Sequence, residues 1–184
     1  MIFIMKKVNI FFAEGFEEVE ALTVVDILRR AGIETSMVSV TGEKMVRGSH
    51  GIKVEMDKTF NVIEDADAIV LPGGMPGTLN LKAHEGLRKL INDYNVQGKL
   101  LCAICAAPTV YGSMGLLKER HATCYPGMEE ELNAFEALDD AVVIDDNFIT
   151  SRGVGTAIEF ALAIVRNLID DVTADKLASS IVYK

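Results

Sequence analysis

The alternation of short apolar runs with longer helical patterns restricts the fold of this 184-residue chain more than any other sequence feature. Runs such as Val8–Ala13, Ala68–Leu71 and Lys99–Ile104 have the length and composition of buried strands. Continuously apolar strands that alternate with helices are typical of a parallel sheet covered on both faces. The chain is therefore predicted to form a single domain over residues 1–184, with an α/β fold and a mostly parallel, doubly wound sheet.

The same periodicities place the other elements of the predicted fold. Apolar residues at helical spacing that stop at a glycine indicate helices, and β-rich runs bounded by turn residues indicate strands. No internal repeat, Pro/Ser-rich linker or low-complexity tract interrupts the chain. The predicted strands are Thr35–Val40, Ala122–Tyr125, Val142–Ile144 and Phe148–Ser151, the predicted helices are Phe16–Ala31, His84–Tyr94, Cys105–Met114, Thr156–Ile169 and Ala174–Val182, and a hairpin is predicted within Thr41–Val54.

Charge and hydropathy argue against two classes of partner. The chain has 18 Lys+Arg against 27 Asp+Glu, a net charge of −9, and its basic residues cluster only in pairs such as Arg29-Arg30. Such a chain lacks the basic surface that grips a phosphate backbone, so stable nucleic-acid binding is not expected. The longest apolar run, Leu100–Ala107, has eight residues. A membrane helix needs roughly 20, so no membrane association is expected.

The cysteines and the N-terminus predict a cytoplasmic location. Cys102, Cys105 and Cys124 are too few, and odd in number, for a disulfide framework, which fits a reducing compartment. The apolar residues of Met1–Met5 precede the lysines, the reverse of the order in a secretory signal peptide.

Ligands of open α/β sheets bind beyond the carboxyl ends of the strands, so the functional residues are expected there. Four predicted strand ends carry polar, small or reactive residues. They are Ala13–Glu20, Pro72–Gly74, Ile104–Ala106 and Thr150–Gly153.

Cys105 is the strongest candidate for a reactive group at these ends. It lies between a buried strand and a helix start, where backbone N–H groups favour a thiolate, as in a nucleophile elbow. The backbone N–H of Ala106 is then placed to stabilise an oxyanion. The alternative interpretation is that Cys105 is a small buried apolar residue of the core.

Two further strand ends could complete such a site. Gly73 and Gly74 would let backbone N–H groups approach a ligand and supply a second oxyanion donor, although a plain tight turn would also use them. Glu20 lies between Val19 and Ala21 on a helix that packs on the sheet, so burial would raise its pKa and keep it protonated. Most acidic residues at a helix start are solvated, which is the alternative for Glu20.

Two motifs that suggest a cofactor fail on their spacing. Cys102, Cys105, His121 and Cys124 have zinc-like spacing, but three residues of extended chain separate the first two by ~10 Å. The segment Gly153–Ile158 only approximates a dinucleotide fingerprint, with Ile158 in place of the third small residue. We therefore expect no metal and no cofactor. No histidine is an obvious partner for Cys105, since His50 lies in the hairpin and His84 opens a surface helix.

Taken together, these motifs resemble the ThiJ/PfpI superfamily, close to its DJ-type deglycase and YajL-like branch. The resemblance implies a flavodoxin-like three-layer sandwich that forms a homodimer. It implies a nucleophilic Cys105, a protonated Glu20, and backbone oxyanion donors at Gly74 and Ala106. The resembling segments, which span nearly the whole chain, are Ala13–Glu20, Val25–Ile33, Val70–Gly74, Ala103–Thr109 and Thr150–Thr156.

The resemblance also implies an activity without a cofactor. Members of this branch act on methylglyoxal and glyoxal without glutathione, or remove their adducts from proteins and nucleotides. The alternative is an oxidative-stress sensor or chaperone that uses Cys105 oxidation; a cysteine peptidase or amidase and a role in thiazole monophosphate (thiamine) biosynthesis fit less well. Two positions depart from relatives, Tyr125 where many have histidine and His50 where arginine is common. The expected substrate pocket is formed by Gly73, Tyr125, Arg152, Gly153 and His50.

Overall fold

A central seven-stranded sheet organises the computed structural model, which describes residues 5–183. The prediction about a leader at the N-terminus falls mainly on residues 1–4, which lie outside the described residues. The strands are β1 (Lys7–Phe12), β2 (Glu34–Ser39), β3 (Met45–Arg47), β4 (Lys53–Glu55), β5 (Lys58–Thr59), β6 (Ala68–Leu71), β7 (Leu100–Ile104), β8 (His121–Ala122), β9 (Glu136–Ala137), β10 (Val142–Asp145) and β11 (Phe148–Ser151).

The predicted doubly wound sheet is confirmed. The strand order is β10-β11-β7-β6-β1-β2-β5, and every neighbouring pair is parallel except β10 and β11, which form an antiparallel hairpin. Separate apolar clusters fill the two faces of the sheet, so helices cover both sides and the molecule has three layers. The helices are α1 (Glu18–Arg30), α2 (Gly77–Ala83), α3 (Glu85–Val96), α4 (Pro108–Ser113), α5 (Ala157–Leu168) and α6 (Asp171–Ser180).

Most predicted elements form, with shifted ends. The predicted hairpin is present as β3 paired with β4. Helix α1 begins at Glu18 rather than Phe16, because Glu17 keeps an extended backbone. Helix α2 was not predicted; it is short and its Leu79 is exposed, so its sequence shows no sustained apolar face. Within residues 5–183 no helix is both long and apolar enough to cross a membrane.

Two predictions near Cys105 are wrong. The predicted strand Ala122–Tyr125 is limited to β8, which pairs with the unpredicted β9. The chain leaves this strand because the N–H of Tyr125 donates to the carbonyl oxygen of Cys105 at 2.8 Å. The helix predicted from Cys105 starts only at Pro108, where proline suits the first helical turn. Cys105 itself is part of a tight turn.

The sheet brings the candidate residues to one edge. Strand β1 lies between β2 and β6. The sheet grows from β1 toward β2 and β5 on one side and toward β6 and β7 on the other, so the strand order reverses at β1. Glu20 follows β1, and Gly73 follows β6, so both lie at the point where the strand order reverses. Cys105 follows β7, the next strand along. This edge is where open α/β sheets bind ligands.

Candidate active site

The backbone of Cys105 has a left-handed conformation, with a φ of 65°. A residue other than glycine in this region is strained, and such strain is frequent at functional sites. Two hydrogen bonds hold the turn, because the Cys105 N–H donates to the Ser151 carbonyl oxygen at 3.0 Å and its own carbonyl accepts from Tyr125. The side chain is half-buried, whereas those of Cys102 and Cys124 are buried. The predicted elbow is therefore present.

The Glu20 carboxyl group is completely buried in the first turn of α1. Its Oε2 accepts a hydrogen bond from the Gly73 N–H at 2.9 Å. Its Oε1 has no hydrogen-bond partner among residues 5–183. Burial raises the pKa of Glu20 to about 7, against the lowering effects of the Cys105 thiol and the Gly73 N–H. Glu20 therefore exchanges its proton near neutral pH, in the direction that the sequence predicts.

The protonation of Cys105 differs from the prediction. Burial, together with the charge of Glu20, raises the pKa of the Cys105 thiol to about 12, although N–H groups of Ala106 and Gly74 act in the opposite direction. The expectation that the turn favours a thiolate is thus wrong for the unliganded site, because the sulfur is partly buried and a carboxyl group lies beside it. The two groups form a pair in which Glu20 can take the proton as the sulfur reacts.

Glycine is required at two positions beside this pair. A Cβ added to Gly73 would lie 2.6 Å from Cβ of Cys105 and 2.7 Å from Oε2 of Glu20. Gly74 has a φ of 92°, and an added Cβ would lie 2.4 Å from the Glu17 backbone nitrogen. The small residues let β6 end directly against the pair, with the Gly74 and Ala106 N–H groups both close enough to the Cys105 sulfur to lower its pKa.

A cavity of about 840 Å³ opens above the pair. Of the residues predicted from the sequence, Gly73 and Ala106 do not line this cavity; Gly73 lies beneath the pair and Ala106 lines a smaller neighbouring cavity. Arg152 donates to the carbonyl oxygen of Asp139 at 2.9 Å. The predicted residues that line the large cavity are Glu20, His50, Gly74, Cys105, Tyr125, Arg152 and Gly153.

Glu18 supports the rim of the cavity and was not predicted. Its side chain is 4% exposed, and Oε1 accepts the His50 backbone N–H at 2.8 Å while Oε2 lies 2.9 Å from His50 Nδ1. Burial opposes ionisation of Glu18, but these hydrogen bonds outweigh it and lower its pKa to about 2. The Glu18 side chain also raises the pKa of His50. The sequence held no signal for this contact, since the partners lie on separate elements.

His121 and His84 have partners other than the pair. His121 Nδ1 lies 3.0 Å from Asp145 Oδ2, and His84 accepts the Leu87 N–H as the N-cap of α3. Within the described part of the chain, the cluster of side chains that could hold a metal is Glu17, Glu18 and His50, and it includes no cysteine. Among these residues, Cys102, Cys105, His121 and Cys124 do not form a cluster of this kind.

Comparisons with known proteins found similar sequences and structures. The model of the DJ-1/PfpI family matches residues 6–167. Protein DJ-1 homolog B of Arabidopsis thaliana is 39% identical over 97% of this chain, but the chain spans only 42% of that relative's length. A Caenorhabditis elegans relative called glutathione-independent glyoxalase DJR-1.2 is 35% identical over 84% of both chains. The structure of oxidised Toxoplasma gondii DJ-1 superposes with a TM-score of 0.94 at 36% identity, covering 97% of this chain and 98% of that one.

Proposed function

The chain belongs to the DJ-1/PfpI family, and on that premise we propose that it is a glutathione-independent glyoxalase acting on small 2-oxoaldehydes such as methylglyoxal and glyoxal, or on their adducts with proteins and nucleotides. The observation that carries the proposal is the buried pair at the sheet edge. The Glu20 carboxyl group lies beside the Cys105 sulfur with its Oε1 unpaired among residues 5–183. The name of the Caenorhabditis elegans relative supports the same activity.

The first step is attack of Cys105 on the aldehyde carbon. Glu20 accepts the thiol proton as the S–C bond forms, so no free thiolate has to exist in the resting site. The carbonyl π electrons move to the aldehyde oxygen. The N–H groups of Gly74 and Ala106, which already act on the sulfur, stabilise that developing charge. Glu20 passes the proton taken from the thiol to this oxygen, which gives a hemithioacetal and returns Glu20 to its carboxylate form.

The second step moves a proton between adjacent carbons. Glu20 in its carboxylate form removes the proton from the sulfur-bearing carbon, and the electron pair shifts to the ketone oxygen, which gives the enediol as its anion. Glu20 then returns this proton to the former ketone carbon, while the hydroxyl proton of the sulfur-bearing carbon passes to the neighbouring oxygen. The sulfur-bearing carbon thereby becomes the thioester carbonyl, and its neighbour becomes a CHOH group. Water hydrolyses the thioester, releasing a 2-hydroxy acid and the Cys105 thiol. The aldehyde carbon is oxidised and the ketone carbon is reduced, so no external redox partner or metal is consumed. A pKa of about 7 suits a group that acts as both base and acid.

This reaction does not depend on the histidine that many relatives carry at the position of Tyr125. The ring nitrogen Nδ1 of His50 is paired with Glu18, and that of His121 with Asp145. A cysteine peptidase needs an imidazole to activate its nucleophile. The glyoxalase reaction uses Glu20 for that purpose and is therefore the better match to these residues.

A redox sensor or chaperone is the second candidate, and the exposure of Cys105 favours it. Cys105 is half-buried while Cys102 and Cys124 are buried, so peroxide would reach Cys105 first. Oxygen atoms added to the sulfur could bind the same N–H groups and the protonated Glu20. This function requires a change in client binding on oxidation, whereas the glyoxalase requires the reduced thiol.

Turnover of methylglyoxal tests the proposal. Purified protein without glutathione should form lactate, and Cys105→Ser should lose this activity while retaining its fold. Wild-type protein that forms no lactate, or Cys105→Ser protein that forms it at the wild-type rate, would contradict the proposal.

A cytoplasmic location and a homodimer remain predictions. Cell fractionation checks the location, and light scattering checks the oligomeric state.

A further inference from the structure

A second cavity, of about 360 Å³, also reaches Cys105. Its side-chain walls are Met75, Tyr125, Pro126 and Met128, and we call it the apolar arm. None of the residues that line it, all within residues 5–183, carries a charge. The larger cavity, by contrast, is lined by Glu17, Glu20, His50 and Arg152, and we call it the polar arm.

Cys105 and Tyr125 line both arms and therefore lie where they meet. The backbone of Tyr125 is fixed to the nucleophile, because its N–H donates to the Cys105 carbonyl oxygen at 2.8 Å. Its ring lies beside Gly153, where an added Cβ would be 3.6 Å from Tyr125 Cδ2 and 3.8 Å from Oε1 of Glu20. A substituent on a carbon bound to the sulfur can thus extend into one arm or the other.

The chemistry of the bound aldehyde assigns its groups to the arms. The two carbonyl oxygens must meet Glu20 and the N–H groups of Gly74 and Ala106, which places these oxygens at the junction of the two arms. The remaining group is the R of R–CO–CHO. A polar R would lose its hydration in the apolar arm without gaining hydrogen bonds, whereas an apolar R is stabilised there by contact with Met75, Tyr125 and Met128.

We infer that the apolar arm binds the R group of the substrate and that Tyr125 and Met128 determine specificity for 2-oxoaldehydes with an aryl or branched alkyl R group. This inference rests on the proposed glyoxalase function and specifies its substrate class. A methyl group would leave most of a 360 Å³ cavity unfilled, whereas a phenyl ring would fill more of a cavity whose lining includes both methionines and Tyr125. Because each added carbon in an apolar pocket changes kcat/KM by about 10-fold or more, the arm should select strongly for size.

The test compares phenylglyoxal with methylglyoxal as substrates of wild-type, Tyr125→Ala, Met128→Ala and Phe135→Ala proteins. The ratio of the two kcat/KM values is measured for each protein, so the intrinsic reactivity of the aldehydes cancels between variants. Phe135 is the matched control: it is an aromatic residue with 69% exposure that packs on His121 and lines neither arm. The enantiomeric excess of the mandelate product is a second readout, since a ring held in one arm exposes one face of the enediol to Glu20.

The expected result is a fall of about 10-fold or more in the phenylglyoxal-to-methylglyoxal ratio for Tyr125→Ala and Met128→Ala, and no change for Phe135→Ala. The mandelate made by Tyr125→Ala should also lose enantiomeric excess, which a general loss of folded protein would not cause. An unchanged ratio and unchanged enantiomeric excess in both arm variants, with methylglyoxal still consumed, would overturn this inference alone. Wild-type protein that consumes neither aldehyde would overturn the proposed function and this inference with it.

Discussion

The backbone N–H of Gly73 donates to Oε2 of Glu20 at 2.9 Å, so the turn after β6 holds the carboxyl group that follows β1. The same glycine touches Cys105, because the space where its Cβ would lie is filled by Cβ of Cys105 and by Oε2 of Glu20. Three strand ends therefore meet at Gly73. The contact between acid and nucleophile depends on the absence of one methyl group.

Adding that methyl group should separate the pair. In Gly73→Ala the new Cβ would lie 2.6 Å from Cβ of Cys105, so one of the two side chains must move. A displacement near 1 Å at reacting atoms costs about 10²-fold in rate, so we expect a loss of that size in methylglyoxal turnover. The thermal unfolding of Gly73→Ala is compared with that of Gly155→Ala, a glycine substitution with no atom within 4 Å of the added Cβ. This comparison separates the local displacement from a general loss of stability. Turnover by Gly73→Ala at the wild-type rate would refute this requirement for glycine.

The burial of Glu20 should make stability depend on pH. Its pKa is about 7 in the folded protein, against an ordinary value of 4.5. Between these pH values the folded state holds the proton more tightly than the unfolded state, so the free energy of unfolding falls as the pH rises through this range. The Glu20→Gln variant lacks this loss and should exceed the wild type by roughly 3 kcal/mol above pH 7, with the excess disappearing toward pH 4.5.

Urea unfolding of the two proteins across this pH range measures that difference. The other carboxyl groups and the histidines are present in both proteins, and the Cys105 thiol, whose pKa depends on Glu20, stays protonated in this pH range, so the difference reports mainly on Glu20. A difference in unfolding free energy that stays constant with pH would show that Glu20 titrates as an ordinary carboxyl group.

The three cysteines should react with iodoacetamide in a fixed order. Cys105 is half-buried, whereas Cys102 and Cys124 are 0% and 3% exposed, so mass spectrometry should find Cys105 labelled first and the others only after unfolding. Labelling of Cys105 should be slow at neutral pH, because its pKa is raised to about 12, and should accelerate in Glu20→Gln, which removes a neighbouring negative charge. Modification of Cys102 at the rate of Cys105 would contradict the described packing.

The sequence predicted those features that depend on local pattern. Continuous apolar runs located β6 and β7, and the small residues after each run located Gly73 and Cys105. It missed features set by contacts between distant segments. The pairing of Glu18 with His50 spans 32 positions, so no local pattern predicts it. The raised pKa of Cys105 comes from burial and from Glu20 across the sheet edge, which only the folded chain brings together.

Tyr125 shows the same limit. The resemblance in the sequence shows that its residue type departs from relatives. The strand predicted around it is wrong, because the hydrogen bond from its N–H to the Cys105 carbonyl oxygen directs the chain away from β8. The resulting position between two arms of different polarity depends on that contact. Short segments such as α2 and β9 were missed because too few residues are available to show a period.

The rate of lactate formation from methylglyoxal by Glu20→Gln tests the central claim most directly, since this variant keeps the Cys105 thiol and removes only the group proposed to move the proton. Glu119→Gln, which changes an exposed glutamate outside both cavities, is the matched control. The account predicts that kcat of Glu20→Gln falls by about 10²- to 10⁴-fold while that of Glu119→Gln is unchanged. A kcat of Glu20→Gln equal to that of the wild type, with Cys105 still required, would show that Glu20 does not transfer the proton.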